Sequence, residues 1–172
     1  FFRALFSLYD ICMTVAKSDR ELENNIKDFV KNHGKLDFLE WQFHGEAEQF
    51  TLSRPYRYNN LDIRANLEYL KDVIKPGGTM FLNSCSTGSG KETRRNLANH
   101  VANSVGEDVV VIAPVIPSYT RDIELLPEND KPKVMISSDR IPSWETMTYT
   151  IDPSKKSEHC SVSSEHLQFC KN

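Results

Sequence analysis

The sequence predicts an α/β fold built on a mostly parallel sheet, and three observations carry that expectation. Short apolar runs alternate with stretches whose apolar residues recur at helical spacing, the pattern of βαβ units. Val109 to Ala113 is almost purely apolar, as a strand covered on both faces must be. The third is the stretch Thr79 to Lys91, in which an apolar run ends at Cys85 and small and glycine residues follow. That is how a buried strand delivers a thiol into a tight loop at the top of a sheet. Ligands of open α/β sheets bind just outside the carboxyl ends of the strands.

The elements follow in order. Phe2, Leu5, Phe6 and Tyr9 mark one face of a helix over residues 1–10. Ile11 to Ala16 fits a short strand or a continuation of that helix. Ser18 and Glu21 form a capping box, and Leu22, Ile26, Phe29 and Val30 give the core stripe of the helix behind it. Asn32-His33-Gly34 stops that helix. Leu36 to Phe43 is a strand ending in His44-Gly45. Gln49 to Ser53 suggests another short strand and Arg54 to Tyr58 a surface turn. Asn60 is expected to cap a helix with a stripe of Ile63, Leu67, Leu70 and Ile74, ended by Lys75-Pro76-Gly77-Gly78. After the Cys85 strand a helix should begin near Glu92, with Leu97, Val101 and Val105 in register and Gly106 closing it. Beyond Pro114 the pattern changes. Residues 118–132 read as a long polar loop, and Lys133 to Ser137 and Thr146 to Ile151 as two strands that could pair. The expected organisation is one α/β domain over residues 1–152 and a polar, Ser- and Lys-rich tail over 153–172.

Composition narrows the function classes. With 172 residues, 39% of them hydrophobic, the chain suits one domain with a real core. Its net charge of -3 comes from intermixed signs, so no basic stripe invites a nucleic acid. No apolar run approaches the ~20 residues that span a bilayer, so no membrane partner is expected. The chain begins at Phe1 without a basic-then-apolar leader, which reads as a fragment or a processed product. Cys12, Cys85, Cys160 and Cys170 lack metal-type spacing. They read as reduced thiols of a cytoplasmic or other reducing compartment, with Cys160 and Cys170 left open as a pair. No metal or other cofactor is expected. His33 suits a helix end, His100 an exposed helix face, and His159 and His166 the tail. Glu46 and Glu48 read as solvated, and Trp144 and Met147 as core or pocket wall.

The chemistry lies at two strand ends. A thiol is a useful nucleophile only with a base or a positive field beside it. If the two strands are adjacent and parallel, His44 and Cys85 emerge at one sheet edge. Gly45 leaves room for a substrate carbonyl, and the amides of Gly45 and Cys85 could form an oxyanion hole. The amino end of the helix near Glu92 would add a favourable dipole.

Phe43-His44-Gly45 after one strand and Asn83-Ser84-Cys85-Ser86-Thr87-Gly88 after a second, one helix later, resemble the caspase-like cysteine peptidases. That group includes caspases, legumains, gingipains, separases and CHAT-type peptidases. The resemblance reaches from about Met13 to about Pro114, and the spacing from His44 to Cys85 is of the family's size. It implies a three-layer sandwich, with helices on both faces of a mostly parallel central sheet. It implies a cysteine endopeptidase in which Cys85 attacks a peptide carbonyl and His44 protonates the leaving amine. Asn83 then helps line the pocket for the side chain before the scissile bond, with walls from Val115 to Tyr119. The partner is a protein or peptide substrate. Two features depart from the family: Asn-Ser-Cys replaces the caspase Gln-Ala-Cys, and the first central strand has no counterpart in the sequence.

Three other readings compete. Cys85 to Lys91 mimics the phosphate loop of tyrosine phosphatases, but Lys91 stands where a bidentate arginine is needed and no Trp-Pro-Asp loop exists. A Walker loop fails because Glu92 occupies the magnesium-binding Ser/Thr position. The remaining alternative is a structural α/β domain whose strand ends merely happen to carry His44 and Cys85, or a caspase-like interaction domain without catalysis.

Overall fold

The computed structural model describes residues 11–52, 60–89, 95–114, 123–128, 131–136, 148–151 and 159–162. The expected helix over residues 1–10, the turn at Arg54 to Tyr58, Lys91, the segment Val115 to Tyr119, and Trp144, Met147, His166 and Cys170 lie outside them.

Residues 11–16 form neither strand nor helix. Met13 and Val15 stand exposed, while Ala16 is buried and anchors the segment. Helix α1 (Asp19–His33) forms where its local signals put it. The Ser18 hydroxyl accepts from the Glu21 amide at 3.2 Å, and the Glu21 carboxylate accepts from the Lys17 amide at 2.8 Å. Both are helix-start donors that would otherwise lack partners. At the other end the Gly34 amide returns to the Val30 carbonyl at 2.8 Å, and His33 stacks on Phe29. Leu22 and Ile26 are its buried residues.

Strand β1 (Leu36–Gln42) leads into a small antiparallel sheet of β2 (His44–Glu46), β3 (Gln49–Thr51) and β4 (Asn60–Asp62). A 3-10 helix (Glu68–Asp72) follows, then the long strand β5 (Ile74–Asn83). The expected helix from Asn60 to Ile74 is therefore corrected. Its first residues pair with β3, Thr51 opposite Asn60 and Phe50 opposite Leu61. Its later apolar residues bury themselves through one tight turn, Leu67 and Leu70, and the start of a strand, Ile74. Apolar residues spaced by three or four satisfy that arrangement as well as an α-helix, and cross-strand pairing decides between them. Lys75-Pro76-Gly77-Gly78 does not end a helix. It forms an irregularity inside β5, where β5 advances from Ile74 to Thr79 while β1 advances only from Leu36 to Phe38.

Helix α2 (Leu97–Ala102) is shorter than expected and starts later, since Arg95 and Asn96 are not helical. Strand β6 (Val110–Pro114) comes next. In the stretch expected to be a loop, β7 (Ile123–Glu128) pairs with β8 (Lys131–Ile136) as an antiparallel hairpin. Strand β9 (Thr148–Ile151) pairs with β6, not with the Lys133 strand, and β10 (His159–Val162) pairs with β9. Part of the expected tail is thus an outer strand.

The main sheet has the order β1-β5-β6-β9-β10, with β1, β5 and β6 parallel and the last two strands antiparallel. Stepping in one direction across three parallel strands with right-handed crossovers puts both connections on the same face. Trp41, Met80, Leu82, Val111 and Ala113 accordingly share one core cluster with Leu22 and Ile26 of α1, Phe50 and Leu61 of the small sheet, and Leu97 and Val101 of α2. Phe81 and Ile112, which strand alternation turns the other way, are fully buried too. The fold is α/β in general terms, and among the described residues both α-helices belong to that one cluster. No helix among the described residues is long and apolar enough to cross a membrane.

Candidate active site

Parallel pairing brings the two singled-out strand ends together. β1 and β5 are neighbours in register from Phe38 opposite Thr79 to Gln42 opposite Asn83. His44 and Cys85 each follow two residues beyond that last pair, so both leave the sheet at the same edge. The two segments also touch. A Cβ added to Gly45 would overlap the Ser84 hydroxyl and lie 3.1 Å from both the Ser84 Cβ and the Thr87 Cγ2. Only glycine permits that approach, which places the residue after His44 against the residue before Cys85.

Past the expected end of the strand at Phe43, His44 opens a further strand, β2, opposite Thr51. Glu46 and Gln49 close a two-residue turn, so the intervening Gly45–Phe50 pair is of the kind that exchanges no hydrogen bonds. The Gly45 amide therefore turns away from β3. The His44 side chain is exposed, as are Glu46 and Glu48. Beneath the hairpin, Phe50 is fully buried against Trp41 and Phe43, with ring centroids 5.8 Å and 5.6 Å away.

The Cys85 loop is fastened from several sides. The Ser84 amide donates to the Leu82 carbonyl, the Ser89 amide to the Ser86 carbonyl, and the Gly88 amide to the Pro114 carbonyl at the end of β6. Ser86 takes φ 56, a left-handed conformation unusual for a residue with a side chain. Thr87 is fully buried and Ser84 nearly so, and the Ser84 hydroxyl has no hydrogen-bond partner among the described residues. Cys85 is half-buried and outside any disulfide, and Cys12 is an exposed thiol.

Helix α2 does not supply the expected dipole. Its first amides are occupied: Leu97 donates to the Ala47 carbonyl, Ala98 to the Thr87 carbonyl, and Asn99 to the Asn96 side chain at 2.8 Å. The Asn96 amide group reaches back to the Ser89 carbonyl at 3.1 Å. The helix start thus acts as a clamp on both site segments. An anion-binding helix end needs unoccupied amides, so the start of α2 offers no such site, while the Lys91 end of the phosphate-loop reading lies outside the described residues. His100 is half-buried with its Nε2 2.8 Å from the Ala65 carbonyl, a packing role where an exposed face was expected.

Asn83 is buried, and its Nδ2 donates to Glu40 Oε1 at 2.6 Å. Burial pushes the Glu40 carboxyl above the ordinary glutamate range, and the Asn83 bond opposes that in part. Glu40 is the residue that reading the sequence overlooked. Strand alternation alone puts it on one face with Gln42, and only the register of β1 against β5 adds Asn83 to that face. Among the described residues no group of three His, Cys, Asp or Glu side chains could hold a metal ion. No protein-family model, curated protein or solved structure matches this chain.

Proposed function

We propose that the protein is a caspase-like cysteine peptidase that hydrolyses peptide bonds, with Cys85 as nucleophile and His44 as general acid and base. The observation that carries the reading is the pairing of Gln42 with Asn83 at the end of β1 and β5, which sends His44 and Cys85 out at one edge. The contact of Gly45 with Ser84 and Thr87 adds to it, because it ties the two loops together. The resemblance of Phe43-His44-Gly45 and Asn83-Ser84-Cys85 to that family supplies the reaction class.

In this reading His44 takes the proton of the Cys85 thiol and the sulfur attacks the carbonyl carbon of the scissile bond, forming a C–S bond as the carbonyl π pair moves onto oxygen. The amides of Gly45 and Cys85 stabilise that oxygen. The orientation of the Gly45 amide away from β3 suits this role. His44 gives a proton to the departing amine as the C–N bond breaks. Water, deprotonated by His44, then cleaves the thioester and releases the acid. The exposure of His44 leaves it room to adjust when substrate arrives.

A peptide library presented to the wild-type protein, Cys85→Ala and His44→Ala tests the proposal. We expect cleavage by the wild type, loss to background in both variants, and nearly unchanged melting temperatures. Equal cleavage by Cys85→Ala, or none by the wild type, would overturn the reading. The second outcome would favour an interaction domain.

A further inference from the structure

The Glu40–Asn83 pair extends the peptidase reading to a substrate class. Asn83 sits two residues before Cys85 on β5, and Glu40 lies on the neighbouring strand and on the same face. A carboxamide carries N–H donors at one end and an oxygen acceptor at the other. The bond to Glu40 fixes which is which: the donor end is held by the carboxylate, so the Asn83 oxygen is what remains to be offered. Glu40 contributes further acceptor capacity and no donor when ionised. The described ion pairs join Lys27 to Glu23, Lys35 to Asp72, Arg64 to Asp62 and Lys75 to Asp37, and none of them includes Glu40.

A carboxylate largely withdrawn from water, with no cation paired to it among the described residues, is costly. Its raised pKa is the expected sign of that cost. A cationic group arriving beside it would remove the penalty, whereas an acidic one would add to it.

Resting on the peptidase reading, we propose that Glu40 and the oriented Asn83 oxygen select a lysine or arginine side chain immediately before the scissile bond and reject an acidic one. Glu40 is here a specificity-determining residue, not a participant in bond breaking.

The test uses the full chain with two peptide chloromethyl ketones that differ only in the residue next to the reactive group, arginine or aspartate. Peptide mapping by mass spectrometry reads the adduct at Cys85 separately from Cys12. Charge-assisted hydrogen bonds are worth roughly ten- to hundredfold in a binding constant, so the arginine reagent should label Cys85 at least about tenfold faster. Glu40→Gln should shrink that preference to about threefold or less, because a charge-assisted bond becomes a neutral one. Labelling by iodoacetamide should stay the same in that variant. Thermal unfolding establishes that Glu40→Gln is folded, and Glu40→Asp, which keeps the charge, should retain part of the preference if it is not. Equal or aspartate-favouring rates in a wild-type protein that does react with the peptides would overturn this inference alone. An unchanged preference in folded Glu40→Gln would do the same. If no peptide reagent outpaces iodoacetamide and no peptide is cleaved, the peptidase reading fails and this inference falls with it.

Discussion

The ends of β1 and β5 lie side by side, yet they are built in opposite ways. Past Gln42 the chain stays extended and enters a hairpin, so His44 stands in an ordinary strand conformation with its side chain in solvent. Past Asn83 it turns sharply. Ser84 and Thr87 go inside, Ser86 takes φ 56, and carbonyls and amides from β6, α2 and the loop itself hold the turn. The His44 side chain is exposed and able to adjust, although α2 holds its hairpin through the Ala47 carbonyl, whereas the Cys85 end is held at several points along its turn. A nucleophile must be aimed within tight limits, whereas a general acid must reach different atoms at successive steps. The contrast fits the division of labour that the proposed peptidase would need.

The contact between the two ends is the place to break the comparison. Gly45→Ala should have the largest effect on stability, since the new methyl meets the Ser84 side chain and the buried Thr87. Overpacking of this kind costs about 1–3 kcal/mol, read by denaturant unfolding. Ser84→Ala in the same chain removes the overlapping hydroxyl and should recover part of that loss. Additive effects in the double variant would show that the two ends do not press on one another.

The clamp is tested next. Asn96→Ala removes both the α2 cap and the bond to the Ser89 carbonyl. A lost cap costs about 0.5–2 kcal/mol. If the Cys85 end is the held one, hydrogen exchange should quicken at residues 86–89 and stay unchanged at residues 44–46. Faster exchange at both would erase the distinction.

The third effect is a slope with pH. Burial lifts the folded-state pKa of Glu40 above its unfolded value. The folded protein therefore holds this proton more tightly, and the contribution to stability is complete below the ordinary glutamate range. It is lost as pH rises through the folded-state value. Glu40→Gln should flatten that part of the stability profile. A variant whose melting temperature falls across it as steeply as the wild type's would place the titration elsewhere.

The smallest effect belongs to Ser86. A left-handed conformation costs a residue with a side chain about 1–2 kcal/mol, and glycine gives back about 0.5–1 kcal/mol through a freer unfolded chain. Ser86→Gly should therefore change stability by about 0–1.5 kcal/mol, toward the stable side. A marked loss would mean that the Ser86 side chain holds the turn.

Some of this was decided by the sequence alone. Helix α1 needs only its own residues, Ser18 and Glu21 at one end and Gly34 at the other, with Leu22 and Ile26 on one face. The strands around Leu39, Phe81 and Val111 are likewise legible, because a run of apolar residues buried on a sheet shows in the run itself. Two such strands ending in His-Gly and Ser-Cys were enough to single out His44 and Cys85. Only the tertiary structure decided the rest. Asn60 to Asp62 became a strand because β3 offered it a partner, and Thr148 to Ile151 joined β6 while the Lys133 strand paired with β7. Glu40 gained its meaning when register set it beside Asn83. Caps and apolar periodicity are properties of neighbours in the chain, but backbone pairing joins residues far apart in it. Which of several possible partners a strand takes is settled only when all of them compete for the same hydrogen bonds.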